Sequence, residues 1–138
     1  MVDKPKLDRM LSNLRSFVGR LMDLAGISRA AFLADGDKVG SAKYHLVIAI
    51  ECCIDIANHI IASENFRFPR DHADSFAVLA ERDVVPAEMA HRLQSMARFR
   101  NRLVHLYWDV DDALVHEYLG SARTDFESFA EAIASHPW

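Results

Sequence analysis

The chain has 138 residues, 51% of them hydrophobic, 26% charged and 9% aromatic, a folded-protein composition that excludes collagen-like, mucin-like and acidic-tail disordered classes. With 16 Lys+Arg against 20 Asp+Glu the formal net charge is −4, which excludes a protein that coats nucleic acid by bulk charge; any polyanion contact has to be a local patch. This length sets the expectation of one domain, residues 1–138. Cys52 and Cys53 are adjacent, and neighbours in a chain cannot reach ordinary disulfide geometry, so a reducing compartment is expected. The opening MVDKPKLDRMLSNL has no secretory-signal pattern, and no apolar run is longer than Leu46 to Ile50, too short to span a bilayer. The expectation is a cytoplasmic protein without a membrane partner.

The first predicted element is a helix over Lys6 to Ala25, with Leu7, Leu11, Leu14, Val18, Leu21 and Ala25 on one stripe. Gly26 is expected to end it in the left-handed conformation, and Ser28 to cap a short helix through Leu33. Asp35-Gly36-Asp37 reads as a break. From about Val39 to Ser63 the chain is apolar on almost every side, so this helix is expected to be buried by its own domain or by a partner. NFRFPRDH reads as a loop, because Pro69 disfavours helix at Phe68. Asp74-Ser75 is expected to cap a helix to Arg82, and Pro86 to occupy the first turn of a helix through AEMAHRLQSMARFRNRLVH. Asp111 and Asp112 are expected to cap a last helix whose stripe is Val115, Tyr118, Ala122, Phe126, Phe129 and Ile133. No segment alternates with period two, so the fold class is all-α, a helical bundle.

Three features exceed a core explanation. Arg100 emerges on the stripe Met89, Leu93, Met96, Arg100, Leu103, where packing would place Leu, and an always-charged group there needs a partner. That partner is a neighbouring carboxylate in a structural ion pair, or an anion such as phosphate. Around it, Met89 to Trp108 holds Arg92, Arg98, Arg100, Arg102, His91 and His105 with no acid, whereas Asp109 to Trp138 holds seven acids and Arg123 alone. Neutralisation of that acidic segment competes with a polyanion-binding role. His105 also suits a helix C-terminus through the dipole. Yet a His that exchanges protons near neutral pH, beside an Arg that stabilises charge on phosphorus, is a toolset for phosphodiester chemistry. Third, Glu51, Asp55, Asn58 and His59 form a polar line on the apolar central helix. Glu51 and Asp55 are candidates to pair with Arg100 or Arg102, as a structural bridge or as groups orienting an active site. A metal set of His45, Glu51, Asp55 and His59 is disfavoured, since no zinc-type spacing supports it.

RNRLVHLY (Arg100 to Tyr107) resembles the R-x-x-x-x-H-x-Y signature of the HepT-like toxins of the HEPN superfamily. IECCIDIANHIIA, FRFPRDHADSFAVLAERDVVP and MARFRNRLVHLYWDVD are similar to the same pattern, so the resemblance covers about Tyr44 to Asp112. It implies an all-α HEPN domain acting as a homodimer with both motifs lining a shared cleft. It further implies a metal-independent endoribonuclease without cofactor, the toxin of a type VII toxin-antitoxin pair whose partner is a minimal nucleotidyltransferase. Arg100 and His105 would be the catalytic pair, with Asn101 placing phosphate or histidine and Arg102, Glu51 and Asp55 in support. Tyr107 would be the tyrosine that the partner adenylylates, blocking RNA by bulk and charge. Residues five apart on an ideal helix differ by about 140° in direction and about 7.5 Å in rise, so Arg100 and His105 share no face unless the helix ends or a second subunit completes the cleft. The alternatives are a non-catalytic HEPN subunit that binds nucleotide or docks on a nucleotidyltransferase, and a structural bundle whose RFRNR patch neutralises the acidic C-terminal helix.

Overall fold

The computed structural model describes all residues, Met1–Trp138, as six α-helices and one 3-10 turn. Helix α1 (Lys4–Ala25) begins where the Asp3 carboxylate accepts the Lys6 N–H, and buries Leu7, Leu11, Leu14, Val18 and Leu21. Gly26 is not the expected left-handed stop. Its φ of −73° is ordinary right-handed backbone, and the chain turns because the Gly26 and Ile27 N–H groups bond back to Met22 and Leu24. Helix α2 (Arg29–Leu33) is capped by Ser28 as expected, and its Phe32 is fully buried.

Helix α3 (Gly36–Ser63) starts earlier than its apolar pattern indicates. Asp35-Gly36-Asp37 is a start signal rather than a break: the Asp35 carboxylate accepts the N–H groups of Asp37 and Lys38, and a good cap outweighs the poor helix propensity of one glycine. The helix runs through the middle of the bundle and packs against α1, α2, α4, α5 and α6. The chain therefore covers most of it. Taken as a whole, α3 is long and apolar enough to cross a membrane, which counting uninterrupted runs conceals, and half of its most apolar stretch is buried against other helices.

Helix α4 (His72–Glu81) is capped by Asp71, not by Asp74-Ser75. Asp74 is buried and bound instead by Arg67, whose guanidinium also grips Glu81. These contacts fix the loop between α3 and α4. They hold the Asp74 carboxyl far below the usual carboxylate range, chiefly through the Arg67 hydrogen bond. Pro86 is the N-cap of α5 (Ala87–His105) rather than a residue of its first turn. After the 3-10 turn Tyr107–Asp109, Asp111 caps α6 (Asp112–Ser135), whose Val115, Ala122, Phe126, Phe129 and Ile133 close the core as expected, with Leu119 buried in place of Tyr118, which is only half-buried. Phe76 and Phe129 meet edge to face across it at 5.8 Å. Both cysteines are free, as their adjacency requires, and burial pushes the Cys53 thiol well up.

Candidate active site

The second half of α5 presents two faces with different chemistry. The inner one carries Met96, Phe99 and Leu103 into the core, with Phe99 stacked on Tyr118 at 4.3 Å. Arg100 lies at its edge with its side chain 16% exposed, and Nη2 donates to Glu51 Oε1 on α3 at 2.6 Å. The carboxylate partner demanded by the apolar stripe is thus Glu51. Arg102 and Asp55 make no such pair: both are exposed and neither has an oppositely charged partner within ion-pair distance. Partial burial and the Glu51 charge push the Asp55 carboxyl up, with His72 opposing. The polar line on α3 is divided between two helices, since Asn58 Oδ1 accepts the Ser75 hydroxyl of α4 at 2.7 Å. His59 is half-buried and its Nε2 has no hydrogen-bond partner.

The outer face of α5 carries Arg98, Asn101, Arg102 and His105, all exposed and three or four residues apart, hence one continuous strip. No carboxylate pairs with Arg98 or Arg102; of the basic window only Arg92 reaches the acidic last helix, at Asp125 and 2.9 Å. Neutralising α6 therefore explains Arg92 and leaves the strip free. Asn101 joins the two faces: its Oδ1 accepts from Arg100 Nη1 at 3.1 Å, while its position four residues before His105 places it beside that ring on the helix surface. Arg100 Nε is buried and unpartnered. Arg100 and His105 share no hydrogen bond, in keeping with their five-residue spacing. His105 is the last residue of α5, and Leu106 leaves helical geometry at φ −128° and ψ 40°.

Beyond that break Tyr107 is 53% exposed and lies under Lys43, whose Nζ is 4.5 Å from the ring centroid. Lys43 is itself buried on α3 and bonds Asp112 at 3.0 Å, so one cation ties the tyrosine turn to the start of α6. Sequence reasoning missed Lys43, although it interrupts the stripe Val39, Ala42, Leu46 just as Arg100 interrupts its own. Of the disfavoured metal set, His45 Nδ1 donates to the Ser41 carbonyl at 2.7 Å, and no three His, Cys, Asp or Glu side chains gather to hold a metal ion.

The family model for Ribonuclease HepT-like matches residues 7–133. The chain belongs to the HepT-like ribonuclease family. It is 28% identical over 123 residues to the mRNA nuclease HepT of Shewanella oneidensis, covering 89% of this chain and 92% of that one. It is 22% identical over 130 residues to the tRNA nuclease HepT of Aphanizomenon flos-aquae, covering 94% and 88%. Among solved structures it superimposes with a TM-score of 0.88 and 26% identity on the tri-AMPylated Shewanella oneidensis HEPN toxin in complex with MNT antitoxin, covering 99% of this chain and all of that one. The fold is thus the HEPN toxin bundle, and the family expected from RNRLVHLY is the family found.

Proposed function

We propose that this chain is a metal-independent endoribonuclease and the toxin of a type VII pair with a minimal nucleotidyltransferase antitoxin. In this reading residues 1–138 form a single HEPN domain that acts in the cytoplasm, where Cys52 and Cys53 stay reduced. The observation that carries it is the strip Arg98, Asn101, Arg102, His105, whose arginines have no carboxylate at ion-pair distance and which is linked through Asn101 to Arg100. Family membership supplies the reaction class. Arg102 adds charge that holds the RNA backbone, Glu51 orients Arg100, and Asp55 lies one turn along α3 from Glu51.

The 2′-oxygen of a ribose attacks the adjacent phosphorus, the bond to the 5′-oxygen breaks, and the products are a 2′,3′-cyclic phosphate and a 5′-hydroxyl. One proton leaves the 2′-hydroxyl and one reaches the departing 5′-oxygen. A histidine such as His105 accepts or delivers them. Arg100, held by Glu51 and Asn101, directs N–H groups at the oxygens that gain charge on phosphorus. Nothing within one protomer brings Arg100 and His105 into contact, so a second copy completes the cleft. Val104, Leu106 and Trp108, all exposed, form an apolar surface beside His105 that such a dimer would cover, leaving the Tyr107 phenol outside it. Transfer of AMP from ATP to the Tyr107 phenol, exposed and next to the strip, would form the O–P bond as pyrophosphate and the phenol proton leave, and would place bulk and negative charge where RNA binds.

The test is denaturing-gel cleavage of messenger and transfer RNA by the purified chain in EDTA, beside Arg100→Ala and His105→Ala proteins of unchanged helicity. Cutting by the unmutated chain alone, with cyclic phosphate ends, supports the reading. No cutting by protein of confirmed unmodified mass refutes it in favour of a non-catalytic subunit. The antitoxin is tested separately: it should label the chain with AMP, and Tyr107→Phe should escape labelling.

A further inference from the structure

The loop between α3 and α4 displays an aromatic ring that the bundle does not use. Phe68 is 92% exposed, although burying it would be favourable, and its backbone is held in that position from both sides. On one side Arg67 binds Asp74 and Glu81; on the other the Arg70 N–H donates to Asp74 at 2.9 Å. Phe66 turns the other way, half-buried, with Arg82 stacked on it at 4.7 Å. Between this loop, the end of α3 and the start of α4 lies a cavity of about 600 Å³ walled by Phe66, Phe68, Asn58, Asn65 and His72. Asn58 Oδ1 is occupied by the Ser75 hydroxyl, which leaves its Nδ2 free to donate into the cavity.

The cavity adjoins the cation strip. Asp71 and His72 line it and also line a second depression of about 250 Å³ whose other wall is Arg98 and Asn101. A flat apolar face with polar edge groups, joined through an unpaired arginine to Asn101, is the layout of a pocket that takes one base of a strand while a cation holds the backbone.

We propose that this cavity is a nucleobase subsite: Phe68 stacks on a base flanking the scissile phosphate, Asn58 and His72 meet its edge, and Arg98 holds the intervening phosphate. The subsite selects where RNA is cut. The inference rests on the ribonuclease reading, and two measurements separate their failures.

The first follows cleavage of a short RNA with one mapped cut, carrying an abasic ribonucleotide at each flanking position in turn. The wild-type chain should lose about tenfold or more in kcat/KM at one of these positions, the scale of a lost base–aromatic stack. Phe68→Ala should lose a similar factor on intact RNA and nothing further at that position. Equal abasic penalties in both proteins, or Phe68→Ala cutting intact RNA like wild type, would overturn the subsite. Because Phe68 contributes nothing to the core, its removal leaves the fold in place. The second reads quenching of a 2-aminopurine-labelled RNA without turnover, using Arg100→Ala protein with and without Phe68→Ala. If wild type cuts no RNA, the ribonuclease reading falls, yet quenching that requires Phe68 still establishes a base site. Absence of quenching refutes the subsite whatever the chain cuts. Loss of nucleotidyltransferase capture in Phe68→Ala, with RNA cleavage unchanged, overturns it by making the loop a protein-docking surface.

Discussion

Replacing Arg100 by alanine separates a structural ion pair from an active-site cation. Truncation deletes the bond to Glu51 at 2.6 Å and the bond to Asn101. A fully buried carboxylate stranded in this way costs about 3–5 kcal/mol, and an exposed pair is worth about 0–1. The Glu51 side chain retains 38% of its exposure against 16% for Arg100, so water can reach the orphaned carboxylate and the expected loss is about 1–2 kcal/mol. For a chain of this size that lowers the melting temperature by roughly 3–8 °C. Cleavage should fall much further, by about 10²–10³ in kcat, the effect of removing one donor from developing oxyanion charge. Arg100→Lys should keep most of the stability and lose most of the activity, because an ammonium cannot hold Glu51 and Asn101 with one planar fork. The assay pairs far-UV circular dichroism melts with RNA cleavage well below the melting temperature. Two results would refute the reasoning: Arg100→Ala protein that cuts within twofold of wild type, or activity that declines only in step with the unfolded fraction.

Other outcomes follow from the same structure. His105→Ala removes an exposed ring at the end of α5, so stability should stay within about 0.5 kcal/mol while cleavage drops about 10²–10⁴-fold. The Asp74 carboxyl is held below its ordinary value of 3.8; its stabilising effect is therefore complete above that pH and fades as pH falls through the lower folded-state value. Urea melts of wild type and Asp74→Asn should accordingly differ at pH 6 and converge in strong acid, and a pH-independent gap would contradict this. Phe76→Ala empties a fully buried site facing Phe129 and should cost about 3–5 kcal/mol in a denaturant titration. Arg98→Ala should weaken RNA binding evenly across sequences and reduce the slope of log K against log salt by about one.

The sequence was most informative wherever periodicity decides structure. The stripes of α1, α5 and α6 are buried along the lines their spacing sets, apart from Leu119 taking the place of Tyr118, and Arg100 stands out because it breaks one of them. Local ends were less legible, since a carboxylate can cap, bridge or do both. Asp71 and Asp74 are both possible caps by type, and only the arrival of Arg67 from the preceding loop takes Asp74 out of that role. Asp35-Gly36-Asp37 reads as a break because the glycine dominates such a triplet locally, whereas the Asp35 carboxylate turns it into a helix start by accepting the Asp37 and Lys38 N–H groups. Lys43 is less legible for a related reason: α3 is apolar on almost every side, so no single stripe stands out to mark Lys43 as its interruption, and its partner Asp112 lies far along the chain. The motif pointed to Arg100 and His105, but the distribution of its residues over two faces of α5, with Asn101 as the link, depends on where α3 supplies Glu51.

The sorting of charge between α5 and α6 acts before any contact is made. Asp112, Glu117, Asp125, Glu127 and Glu131 ride on α6 with Arg123 alone, while the free guanidinium groups sit on the second half of α5. A chain of net charge −4 thus carries an internal charge separation that turns an approaching polyanion as well as attracting it. On the proposed reading, a polyanion arriving over the strip would be favoured over one arriving at Glu117 and Glu131, the α6 acids left unpaired once Asp112, Asp125 and Glu127 are bound by Lys43, Arg92 and Arg123. Such guidance would act over about 10 Å in 0.1 M salt and shorten as salt rises, so on the proposed reading ionic strength would govern how often productive collisions occur and leave the geometry of the cut unchanged.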